Sequence, residues 1–227
     1  MWKIVMMAGC LVVALMCGSP AQAKCGDKPR AGVDWTGCSK ELLMLKGGDL
    51  TGAVFDGAML SGTGFQGAAL AGANFHRSEL TRATFRGADL SGANFEKAFA
   101  SRAIFNDAKL IKARLVKAEF HRVSFDGADL SGAAMVDGDF HRNSFVGAKL
   151  AGADLTGAIL PRSVFHGADL AGVTFTRAFI YWSRFEGVDL SAVKDLTQAQ
   201  LDTACGDAAT KLPPGLVAPV RWPCGED

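Results

Sequence analysis

From Leu50 to Leu190 every fifth residue is apolar, for 29 positions in succession without one residue inserted or deleted. Thirteen of these are Leu and thirteen are Phe; the others are Ala100, Met135 and Ile180. Two residues before each stands a small or modest side chain, Ala in 19 of the 29 cases. Neither standard element fits a period of five. Helical steps of about 100° would scatter every fifth residue around the cylinder, and on a flat strand a step of five alternates faces. A chain that turns a corner about every five residues can point them all inward, so the pattern predicts a solenoid.

A longer period sets the size of the coil. Positions 65, 85, 105, 125, 145, 165 and 185 are all Phe, and positions 50, 70, 90, 110, 130, 150, 170 and 190 are all Leu. The remaining two columns mix Phe, Leu, Met, Ile and Ala. Identity repeating every 20 residues predicts four five-residue sides per coil, with like side chains stacked on like. The run amounts to about seven coils, a rod roughly 35 Å long at the usual strand spacing.

Segments such as GADLSGANF (87–95) and GAKLAGADL (147–155) resemble the pentapeptide-repeat family, whose motif is A(D/N)LxG. The resemblance covers about residues 48–192 and implies an all-β fold, a right-handed quadrilateral parallel β-helix with Leu or Phe inside. It implies little about activity, since one fold hosts many functions. The best-known members protect gyrase by mimicking duplex DNA, which implies an acidic rod in the cytoplasm. This chain has 24 basic and 23 acidic residues, and its N-terminus directs it elsewhere. No nucleic-acid partner is expected.

Residues 1–23 read as a secretory signal peptide: Lys3, an apolar run from 4 to 17, and the cleavage pattern Ala21-Gln22-Ala23. Met7-Ala8-Gly9-Cys10 is a rival lipoprotein site, with almost no apolar region ahead of it. The expected location is periplasmic or secreted, as for an exported bacterial member of the family, with no transmembrane segment after signal removal. Cys25, Cys38, Cys205 and Cys224 then remain, an even number in an oxidising compartment. Three connectivities are possible, and local pairing, 25 with 38 and 205 with 224, is the economical one. Residues 24–46, with Trp35, Leu42, Leu43 and Leu45, are expected to form an N-terminal cap, and 47–193 the solenoid. Residues 194–227 are expected to be a C-terminal cap and tail. There Thr197 and Gln200 form a capping-box pattern before a short helix carrying Ala199, Leu201 and Ala204.

Surface charge falls into columns of the same frame. Arg82, Arg102, Arg122, Arg142 and Arg162 share one, each three residues before an inward Phe. Like charges in neighbouring strands repel. Two readings stand: a track for an anionic polymer, or guanidiniums that stack or pair with Glu79, Glu119 and Asp139, three residues before Arg82, Arg122 and Arg142. Asp89, Lys109, Asp129, Lys149 and Asp169 alternate in sign and read as a ladder of cross-strand pairs. His121 and His141 lie one coil apart beside Arg122 and Arg142; two imidazoles lack further ligands, so no metal is expected. Phe179, Tyr181 and Trp182 are expected to pack under the C-terminal segment, or, if uncovered, to form a partner-binding patch.

Catalytic signatures are missing: no GxSxG, HExxH, Walker loop or CxxC outside the signal. Gly62-Thr63-Gly64-Phe65-Gln66-Gly67 matches GxGxxG but lies inside the repeat register, with no helix to receive a pyrophosphate. The expectation is a non-enzymatic, cofactor-free scaffold that contacts an anionic polysaccharide through the arginine column, with His121 and His141 alongside. The alternative is a protein-interaction module using Phe179, Tyr181 and Trp182.

Overall fold

A computed structural model describes residues 25–225; the signal sequence assigned to residues 1–23 lies outside the described residues. The chain winds as a β-helix whose outward-facing mid-side residues bridge in parallel to the residue one coil on, from Asp34↔Val54 to Thr174↔Lys194. The spacing is 20 throughout that run, and then lengthens at Arg184↔Cys205 and Asp189↔Lys211. Among the described residues two strands are longer than a single bridge: β1 (Phe99–Ser101) pairs in parallel with β2 (Glu119–His121).

Each side is built the same way. The small residue and the Leu or Phe two places on are both buried, and the residue between them faces out. Ala fits because the corner brings its Cβ against the neighbouring side. A turn bond closes each ordinary corner, as from Ala53 N–H to the Leu50 carbonyl at 3.0 Å. The second corner residue has positive φ, which explains the Gly of the motif: Gly52 sits at 65°. The Asp or Asn of the motif accepts the N–H of the first corner residue, as Asp89 does from Ser91 (3.1 Å) and Asn94 from Glu96 (3.1 Å).

Inside, Phe85, Phe105, Phe125, Phe145, Phe165 and Phe185 stack face to face, with centroids 4.5–5.2 Å apart. That separation matches the strand spacing, so ring stacking and backbone pairing reinforce one another.

The ends depart from the expected boundaries. Asp34, Ser39 and Met44 already bridge to the following coil, and Trp35 takes an inward position against Phe55 (5.8 Å). Coil geometry therefore reaches into the segment assigned to an N-terminal cap, because Val33, Trp35, Cys38 and Leu45 supply the buried positions without the A(D/N)LxG motif. The Cys25–Cys38 disulfide ties residue 25 to this coil. At the other end α1 (Gln198–Leu201) carries a capping box between Thr197 and Gln200, and Leu201 is buried. The Gln200 amide also donates to the carbonyls of Phe175 and Ala178, both at 2.8 Å. Beyond it, the Cys205–Cys224 disulfide holds the tail, with Trp222 donating to the Ala204 carbonyl at 2.8 Å.

Candidate binding ridge

All five arginines occupy the second corner position of one edge of the rod, with φ between 56° and 58°. Gly62, in the same column, takes that conformation without strain. A non-glycine residue there costs about 1–2 kcal/mol. The backbone N–H of each arginine bonds to the next coil, Arg102 to the His121 carbonyl and Arg122 to that of His141. The side chains are exposed. Among the described residues none of the five is ion-paired.

The pairing with Glu79, Glu119 and Asp139 is therefore absent. Those residues lie mid-side, whereas the left-handed corner residue projects away from the side. Glu79 instead accepts from the Ser61 hydroxyl at 3.3 Å, and Asp139 is taken up by histidine. The Asp89–Asp169 column is a cross-strand ladder as expected, Asp89 pairing with Lys109, Lys109 with Asp129, Asp129 with Lys149 and Lys149 with Asp169. Its carboxylates close their own corners, through the N–H groups of Ser91, Ser131 and Ala171. The Ser91 hydroxyl and N–H hold the Asp89 carboxyl below its ordinary range, and Lys109 adds a lesser pull. No ion pair joins Asp and Lys along this column.

The corners at Arg102, Arg122 and Arg142 lack the turn bond that closes the other two arginine corners. At Arg82 the turn closes normally, Ala83 N–H to the Leu80 carbonyl at 2.9 Å. At Arg122 the Val123 N–H turns instead to Asn143 Oδ1 (2.8 Å), while Asn143 Nδ2 donates to the Phe120 carbonyl (2.9 Å). One coil on, the Ser163 hydroxyl accepts from Asn143 N–H (3.3 Å) and donates to the Phe140 carbonyl (2.8 Å). Asn143 and Ser163 are buried. A side chain from the next coil thus stitches the corners at Arg122 and Arg142, whereas at Arg102 the next coil presents Val123, which has no polar group to do so. With the corner opened, β2 extends as far as His121.

His121 is set between two rings, the edge-to-face Phe99 at 5.7 Å and the stacked His141 at 4.0 Å. Asp139 joins them: its carboxylate lies 3.0 Å from His141 Nδ1 and 3.5 Å from His121 Nε2. The latter approach lacks hydrogen-bond geometry, and His121 Nε2 is buried without a partner. The structure thus supplies a third donor group that the sequence reading assigned to Arg142. The remaining histidines stand apart, His76 on Asp56 (2.9 Å) and His166 on the Glu186 carbonyl (3.2 Å).

Phe179 and Tyr181 are uncovered, not tucked beneath the C-terminal segment, whereas Trp182 is half-buried and its backbone N–H bonds to the Thr203 carbonyl of that segment at 2.7 Å. Phe179 is 51% exposed and Tyr181 43%, with rings stacked at 6.1 Å, and Trp182 meets Tyr181 at 6.2 Å. The segment after residue 193 closes over the inward positions, burying Leu201 and Ala204, and leaves the outward Phe179 free. Ile159, bridged to Phe179, is exposed as well. Tyr181 and Trp182 occupy the same two corner columns as His141 and Arg142. The two surfaces that the sequence offers as rivals therefore form one ridge: five arginines, then an aromatic cluster. Arg77, Lys97 and Lys117, unnoticed in the sequence, hold equivalent positive-φ corners along the other edge of this side. Residues 77, 97 and 117 stand 20 apart, each two places before a mid-side position (79, 99 and 119), so reading that column would have found them.

Among the described residues no helix is long and apolar enough to cross a membrane. A family model described as "Pentapeptide repeat region" matches residues 78–155. A second, "Pentapeptide repeats (8 copies)", matches 45–77, 144–177 and 162–191. No curated protein matches. Among solved structures, full-length QnrB1, titled a plasmid-mediated fluoroquinolone resistance protein, is 18% identical with a TM-score of 0.58, covering 80% of this chain and 91% of that one. HetL, titled a pentapeptide repeat protein involved in heterocyst differentiation regulation from the cyanobacterium Nostoc sp. Strain PCC 7120, is 25% identical with a TM-score of 0.30, covering 79% of this chain and 86% of that one.

Proposed function

The chain belongs to the pentapeptide-repeat family, and from that premise we propose that it is a non-enzymatic exported scaffold whose arginine edge holds an anionic polysaccharide of the cell envelope. One observation carries the reading: five exposed guanidiniums without carboxylate partners stand at left-handed corners where glycine would be unstrained. Spaced one coil apart, they present a regular cationic row to a regular polyanion. Phe179, Tyr181 and Trp182 at its end offer flat apolar faces against which sugar rings can stack. The two disulfides support a periplasmic or secreted location. In this reading the solenoid has about seven coils, and residues 194–227 shield its C-terminal end. The resistance role in the QnrB1 title is not carried over, since the likeness is one of fold and the unpaired cations suit an anion better than a DNA-binding enzyme.

The test is a salt titration of binding to an anionic envelope polysaccharide, beside a triple variant with Arg122, Arg142 and Arg162 changed to Gln. Binding by the wild type that weakens with salt, and is lost in the triple variant, supports the row. Equal binding by both proteins refutes it. A second reading, a protein partner docked on the aromatic cluster, draws on the exposure of Phe179 and Tyr181. It predicts salt-insensitive binding abolished by Phe179→Ser with Tyr181→Ser.

A further inference from the structure

We propose that His121, Asp139 and His141 form a binding site for a transition-metal dication of the class that favours imidazole, represented by Zn2+ and Cu2+. A ligating atom from each of the three lies within 4.8 Å of the others. Two nitrogens on one tetrahedral zinc stand roughly 3.3 Å apart, given bonds of about 2.0–2.1 Å. Small rotations about the side-chain bonds close that difference. Two imidazoles and a carboxylate are the donor set of many three-ligand zinc sites, and they exclude Mg2+ and Ca2+, which take mostly oxygen.

Three features favour a site over a chance cluster. His121 Nε2 is buried and unpartnered, a costly state for a polar atom that a metal bond would relieve. The ring is already oriented by Phe99 beneath it and His141 above. The Asp139 carboxylate also accepts the His141 backbone N–H at 3.2 Å, which fixes it at the base of the cluster. The donors come from successive coils, so a bound metal would cross-link them and leave one coordination position for solvent or an exogenous anion. Arg122 and Arg142 follow the two histidines in the chain, and their charges oppose a cation. That opposition supplies a signature: screening the arginines strengthens metal binding while it weakens polyanion binding.

Calorimetric titration of untagged protein with Zn2+ tests the site. One zinc per chain is expected, with affinity falling at least about tenfold in His121→Ala and in His141→Ala, and unchanged in His76→Ala or His166→Ala. None of the four side chains is fully buried, and a circular-dichroism melt checks that each variant folds. Electron paramagnetic resonance with Cu2+ should show two coupled nitrogens in the wild type and fewer in either site variant. Arg122→Gln combined with Arg142→Gln should tighten zinc binding. The proposal fails if no saturable zinc binding is seen, or if both His121→Ala and His141→Ala bind as the wild type does. These readouts need no polysaccharide, so they stand or fall apart from the proposed function.

Discussion

Replacing Asn143 with Ala removes the stitch at the Arg122 corner and tests whether that corner is held open by its side chain. The amide satisfies two buried backbone groups, Val123 N–H at 2.8 Å and the Phe120 carbonyl at 2.9 Å. Orphaning a buried polar group costs about 1–3 kcal/mol, so losing both partners should destabilise the protein by roughly 3 kcal/mol or more. In a chain of this size that lowers Tm by about 6–12 °C. Asn143→Ser should cost much less, because Ser163 already performs the same double task one coil on. Thermal and urea melts of the three proteins decide the matter. If Asn143→Ala is as stable as the wild type, the corner has closed with an ordinary turn bond, as at Ala83, and the side chain was never required. If Asn143→Ser is as damaged as Asn143→Ala, the stitch is not a matter of hydrogen bonding.

A Cβ on Gly138 would lie 2.5 Å from the Phe140 ring and 3.2 Å from the Ala118 carbonyl; Gly138→Ala should therefore cost about 1–3 kcal/mol in a urea melt. Arg142→Gly relieves a left-handed corner and should stabilise the fold by about 0.5–1 kcal/mol after the entropy of the new glycine is counted, while weakening polyanion binding in a pull-down. Acid should destabilise the rod in a defined direction. The corner hydrogen bonds hold the carboxyls of Asp34, Asp49, Asp89 and Asp189 below their ordinary range. Their stabilisation is thus fully present above the unfolded value of about 3.9 and is lost as pH falls through the lower folded values. Tm should hold steady from about pH 7 to 5 and fall below about 4; Asp89→Asn should flatten that fall and keep neutral stability, since Asn94 closes its corner in the same way.

The inward columns were legible because burial recurs at a spacing that no other element shares, and a single inserted residue would have broken it. The arginine column was legible for the same reason. Its chemistry was not, since the sequence places Asp139 three residues before Arg142 but does not show that the left-handed corner turns the guanidinium away. The same turn brings Asp139 to His141, two residues on, and to His121 a coil earlier. Asn143 read as one more exception to Ala, and only the missing bond between Val123 and Phe120 reveals its task. The Asp and Lys alternation was legible as a cross-strand ladder; what the sequence did not show is that each carboxylate also takes the N–H of its own corner, the donor nearest to it. Phe179 misled because nearness to the C-terminal segment in sequence says nothing about which side that segment covers.

The bridges that step by 20 residues along nearly the whole rod also bear on how the chain reaches its folded state. Parallel sheets ordinarily join distant segments, and they fold slowly for that reason. Here the pairing partners are separated by 20 positions in a chain of 227, a relative contact order of about 0.09, within the range of helical bundles. Any coil can serve as a nucleus, and each further coil closes only one short loop against a surface already formed. An all-β protein built this way should gain its structure on the timescale of helical proteins, spending little time with unpaired edges exposed.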